Sequence, residues 1–160
     1  MEVDDIRAEI SRLRSGPLQN QIPNGLGTVR FLAQCLNDAE SVLERARTVL
    51  LQLLEAVVQG EKDYSVLRRR LPNWFVISSD LSTKQLPFQI SISEECRWDL
   101  EGWLGWFTLL DDGRSWNWWD AIVVDDLVIV AVVTREWPFP IGALEWLFVA
   151  AGASSFLPEP

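Results

Sequence analysis

Apolar residues recur at helical spacing along the first third of the chain. Val3, Ile6, Ile10 and Leu13 are separated by 3, 4 and 3 positions, which predicts a short amphipathic helix stopped by Ser15-Gly16-Pro17. Residues 17–27, with two prolines among turn-forming residues, read as a loop. From Thr28 onward, Leu32, Cys35, Ala39, Val42, Ala46, Val49 and Leu53 keep a 3–4 alternation. That spacing predicts one long helix over about 28–59 with a wide apolar stripe of coiled-coil type. Asn37 and Glu40 resemble a capping box and mark where that helix would kink or break. A third short helix over 62–71 ends at Pro72.

Beyond Pro72 the period changes from helical to two. Phe88, Ile90 and Ile92 alternate with Gln89, Ser91 and Ser93, the pattern of a half-buried strand, and Trp103–Leu110 is apolar on both parities. Trp116–Val124 and Leu127–Thr134 read as a hairpin turned at Asp125-Asp126. A two-residue connection places Val124 opposite Leu127, Ile122 opposite Ile129, Asp120 opposite Ala131 and Trp118 opposite Val133. Both faces of the hairpin are apolar, which predicts a central position covered on two sides. Pro138 and Pro140 end the strand; Ile141, Leu144, Leu147 and Phe148 mark a last helix closed near Gly152. The tail Ser154–Pro160 is expected to fray. The expected fold is α+β: an N-terminal helical hairpin, then a mostly antiparallel sheet of three to five strands with a C-terminal helix. Residues 1–71 form the helical region and 72–160 a Trp-rich acidic unit, the helices packing on the sheet as one domain.

Charge divides along the same boundary. Residues 1–71 carry ten basic and ten acidic side chains, whereas 72–160 carry four basic against thirteen acidic, the whole of the net −9. Eight of the nine tryptophans fall within that acidic half between Trp98 and Trp146, and the ninth, Trp74, stands at its start. Such a balance opposes a phosphate-binding footprint, which needs clustered Lys and Arg, so no nucleic acid is expected. Arg68-Arg69-Arg70 is assigned to a helix C-terminus, where cations complement the helix dipole. No apolar run approaches the ~20 residues that span a bilayer, and the opening Met-Glu-Val-Asp-Asp lacks a signal-peptide pattern. The expectation is a cytoplasmic protein that binds no membrane, with Cys35 and Cys96 as core thiols rather than a disulfide.

Several chemistries lack their residues. The chain has no histidine, which removes Ser-His, Cys-His and His-metal arrangements. Gly25-Leu26-Gly27 is too short for a phosphate loop, and no CxxC pair is present. Asp111-Asp112-Gly113 lacks the alternating acids of a calcium loop. Paired carboxylates among tryptophans keep glycoside chemistry in view, but these acids fall at turns, where they satisfy local backbone. No catalytic residue, metal or cofactor is expected.

What remains is recognition. Trp116, Trp118, Trp119 and Asp120 form a tight run in which alternation sends Trp118 and Trp119 to opposite faces, with Trp116 in reach of Arg135 for a cation–π contact. At least one of these rings is expected at the surface, as is Trp137. Exposed indoles suit interface hot spots. Asp111, Asp112, Asp125, Asp126 and Glu136 would supply the field that steers a basic partner. The leading expectation is a non-enzymatic protein-binding module, in its most concrete form a bacterial immunity or antitoxin-like protein that occludes a basic effector. The alternatives are an adaptor that docks a partner or forms a homodimer through the 28–59 helix, and carbohydrate binding by the clustered tryptophans.

Overall fold

The computed structural model describes residues 3–80, 98–108 and 114–160. Among them are six helices and four strands. In chain order these are α1 (Val3–Ser15), β1 (Gly27–Cys35), α2 (Ala39–Val58), α3 (Tyr64–Arg70) and α4 (Asn73–Asp80). Then come α5 (Leu100–Thr108), β2 (Trp116–Val124), β3 (Leu127–Thr134), α6 (Gly142–Ala151) and β4 (Ala153–Pro158). The strands form one antiparallel sheet in the order β2-β3-β1-β4, an α+β architecture.

The expected 28–59 helix is corrected to a strand followed by a helix. Val29, Phe31, Ala33 and Cys35 alternate with Thr28, Arg30, Leu32 and Gln34, so Leu32 and Cys35, three apart as on one helix face, stand on opposite faces of a strand. The break falls where Asn37 and Glu40 suggested one. The cap itself is Asp38, whose carboxylate accepts the Ser41 N–H at 3.1 Å and the Ser41 hydroxyl at 2.6 Å. The apolar stripe of α2, from Ala39 through Val42, Leu43, Ala46, Val49, Leu50, Leu53 and Leu54 to Val57, is buried within the chain. The free helix face that a homodimer or adaptor would use is therefore already occupied.

One sheet face meets the helices. Val29, Phe31 and Ala33 of β1 align with Val132, Val130 and Val128 of β3, and these with Trp118, Ala121 and Val123 of β2. Phe156 of β4 extends the layer, stacked between Phe31 (5.1 Å) and Phe148 (5.3 Å). The tail is therefore not frayed: β4 pairs with β1 because Phe156 has a core site. Trp103–Leu110 departs similarly from a strand reading. Leu100, Trp103, Leu104 and Phe107 are buried at i, i+3, i+4 and i+7, the spacing of the helix that forms. The Phe88–Ser93 strand expectation and Cys96 lie outside the described residues. Gly152, left-handed at φ 118°, closes α6 near the expected position. No helix among the described residues is long and apolar enough to cross a membrane.

The hairpin turns at Asp125-Asp126, with Asp125 at φ 55°. Three of four expected pairs form, but a bulge between Trp118 and Asp120 sets Trp118 opposite Val132 instead of Val133. The hairpin is also not covered on both sides. β2 is an edge strand, and the outward face exposes Ile122 (54%), Val124 (43%) and, on β4, Leu157 (61%).

Candidate docking surface

The bulge decides which tryptophans face solvent. Trp116 and Trp118 are wholly buried. Trp116 packs edge-on to Phe107 at 5.9 Å, and Trp118 lies parallel to Phe148 at 6.3 Å. The cation over Trp116 is Arg114 at 5.4 Å rather than Arg135, which instead pairs with Asp5 at 2.9 Å. Trp103 and Trp146 are core rings too, donating their indole N–H to Ala143 O and Ser79 Oγ. The extra residue at Trp119 turns that ring outward, half-buried, with the Arg12 guanidinium 5.1 Å from its centre. Trp137 is 71% exposed. Two of the four candidate rings thus leave the surface, and with them most of the clustered indole area a sugar would need.

Arg114 and Glu9 form the buried anchor beneath this region. Their side chains are 2% and 0% exposed, paired fork to fork. The Glu9 carboxylate also accepts the Trp118 N–H at 2.7 Å, and Arg12 donates to Trp118 O at 3.0 Å. Burial lowers the Arg12 pKa, and the nearby Glu9 and Asp5 carboxylates oppose that shift.

These contacts also close the free edge of β2. In the hairpin register Trp118 and Ala121 direct their backbone groups away from β3. Glu9 and Arg12 take the Trp118 N–H and C=O. The Asp120 carboxylate takes the Ala121 N–H at 2.9 Å, and Arg47 takes its C=O at 3.2 Å. An edge occupied by side chains at these two residues is blunted there as a template for another strand.

The open sheet face is different. Leu157, Leu32, Ile129 and Ile122 stand in register, one per strand, as an apolar row across the whole sheet. Val124 and Leu127 continue it toward the hairpin turn. The next row in the other direction runs Glu159, Arg30, Ala131 and Asp120. Beyond it the 17–27 loop closes over Val133. A Cβ at Gly25 would lie 2.4 Å from Thr134 O, so this approach needs glycine.

The predicted acids fall in different places. Asp120 is half-buried on the open face, and Asp125 and Asp126 are exposed at its end, on the turn. Among the described residues none of the three forms an ion pair. Trp137 and Glu136 follow the far end of β3, eight residues or about 26 Å from that turn. Trp137 packs on Phe139, which meets Phe31 of the helix-covered face. Trp137 therefore packs toward the helix-covered face, away from the hairpin turn. Asp111 and Asp112 lie outside the described residues.

What the residues alone did not reveal is the apolar row itself. Its members were visible as the second parity of each strand, but only the strand order brings them together as one row. Cys35 is buried, and burial together with the charges of Asp126 and Asp38 pushes its thiol pKa up, keeping it protonated. Among the described residues no group of three or more His, Cys, Asp or Glu side chains is placed to hold a metal. Comparison with known proteins finds no matching family model, no matching curated protein and no matching solved structure.

Proposed function

We propose that the chain is a non-enzymatic protein-binding module whose open sheet face docks a partner bearing an apolar strip with a basic rim. The observation that carries this reading is the apolar row Leu157–Leu32–Ile129–Ile122, exposed at both ends and half-buried at Leu32 and Ile129, beside three carboxylates that form no ion pair among the described residues. Apolar area supplies affinity, while surplus negative charge steers encounter and selects against acidic partners. Four strands about 4.8 Å apart and some eight residues long cover roughly 400–500 Å2 in projection. A standard interface of about 800 Å2 per partner therefore reaches the acidic rim as well. In its most concrete form the module is a bacterial, cytoplasmic immunity or antitoxin-like protein that occludes a basic effector.

The test is affinity capture from native lysate with paired variants. Ile122→Asp with Ile129→Asp should abolish capture of a basic protein without unfolding the chain, and Gln59→Asp, on the helical side, should leave it intact. Capture should weaken from low to physiological salt, because exposed charge is screened over about 8–10 Å. Salt-independent capture, or capture indifferent to the face variants, would refute the proposal.

A further inference from the structure

The open face contains a recess of about 250 Å3, and its lining differs from the rest of the row. Its lining combines Ile122, Ile129, Trp119 and Pro23 with two charged residues, Arg30 and the half-buried Asp120. We infer that this recess receives an arginine side chain of the docked protein as the anchor of the interface, an inference that rests on the docking role proposed above.

Three features select that group. First, Trp119 borders two recesses: Arg12 lines one and the recess with Asp120 is the other. The Arg12 guanidinium lies 5.1 Å from the ring centre, and where the indole borders the Asp120 recess an incoming guanidinium can pack on it. Second, Asp120 spends one oxygen on the Ala121 N–H and, among the described residues, forms no ion pair. A partly desolvated carboxylate is offset by an incoming cation with matching geometry. Third, the resident Arg30 does not fill this role. It lines the same recess from β1, but its guanidinium is paired with Glu159 at 3.7 Å and, among the described residues, forms no ion pair with Asp120. Arginine fits better than lysine because a planar fork can bridge a carboxylate and stack on indole at once, with its methylene stem on Ile122 and Ile129.

The experiment is a titration of the intact chain with N-acetyl-arginine amide, followed in two-dimensional 1H–15N spectra. The expected result is saturable movement of the Trp119 indole signal, identified with Trp119→Phe, and of the Asp120 and Ala131 amides. N-acetyl-lysine amide should bind more weakly and N-acetyl-leucine amide should leave these signals unmoved. Asp120→Asn keeps the acceptor for Ala121 and should weaken arginine binding by roughly tenfold, as expected on removing one partner of a close charge pair. No saturable shift, shifts confined to Asp125 and Asp126, or undiminished binding to Asp120→Asn would each overturn the anchor. If capture still depends on Ile122 and Ile129 while the arginine probe fails, the anchor falls and the docking face stands. If the probe binds while capture ignores those two residues, the docking role falls and the recess stands.

Discussion

Removing the positive half of the buried Glu9–Arg114 pair is expected to destabilise the chain severely, for a reason that a second substitution can isolate. Arg114→Met keeps a flexible apolar stem against Phe107 and Trp116, the rings that the guanidinium now covers at 4.9 and 5.4 Å. It leaves the Glu9 carboxylate, 0% exposed, with the Trp118 N–H as its hydrogen-bond donor. Breaking a buried pair in this way costs about 3–5 kcal/mol. Arg12 lies close enough to offset part of that, so the lower end, about 3 kcal/mol, is expected. A domain with roughly 5–15 kcal/mol in total becomes marginal at that cost. The melting temperature should fall by about 6–12 °C for a chain of this size. Urea unfolding followed by tryptophan fluorescence and circular dichroism measures the loss, coincident curves testing two-state behaviour. The double variant Glu9→Gln with Arg114→Met removes both charges and retains an oxygen for the Trp118 N–H. It should recover at least about 2 kcal/mol relative to Arg114→Met, the signature of coupling in a double-mutant cycle. A single-variant loss under about 1 kcal/mol, or no recovery in the double, would refute the view that uncompensated buried charge governs this site.

Three further outcomes follow from the same packing. Phe156→Ala, between two stacked rings, should cost about 3–5 kcal/mol, whereas Leu157→Ala next to it, 61% exposed, should stay within about 0.5 kcal/mol; equal losses in chemical denaturation would mean that β4 does not alternate as described. Trp118→Ala should be as damaging as Phe156→Ala and Trp137→Ala nearly silent, read in the same assay, which a surface role for Trp118 would reverse. Asp38 has its pKa lowered chiefly by the Ser41 hydroxyl and N–H. Its folded value lies below the unfolded value of about 3.9, so its contribution is present above that pH and fades as pH falls through the lowered folded value. NMR titration should place Asp38 below the ordinary aspartate value of about 3.9, and Ser41→Ala should return it toward that value; an ordinary value with Ser41 intact would remove the cap.

Much of the architecture was legible because periodicity reports burial directly. The α1 stripe, the hairpin turn, the α6 helix with Gly152 and three of four hairpin pairs all follow from spacing alone. The misreadings have physical origins. A nine-residue strand joined to a helix by a three-residue connection mimics a continuous helix when both place apolar residues three or four apart, as Leu32, Cys35 and Ala39 do. Phe156 is a single apolar anchor in a polar tail, too weak a pattern to announce a strand whose partner lies some 120 residues earlier. Trp116 and Trp118 belong to a strand that is apolar on both faces, a pattern that does not say which face is covered. That assignment depends on the strand order and on the Trp119 bulge, neither of which spacing encodes. The acids were legible as a surplus but not as a patch, since Asp125 and Glu136 sit at opposite ends of one strand.

The docking face can be tested most directly by photo-crosslinking inside the native cell. A benzoylphenylalanine in place of Ile122 or Leu157, both side chains standing free on the open sheet, should yield one shared adduct with a basic protein. The same probe at Gln59 or Trp137 should not. Adducts arising only from those last two positions, or different adducts from Ile122 and Leu157, would contradict a single partner seated across the sheet.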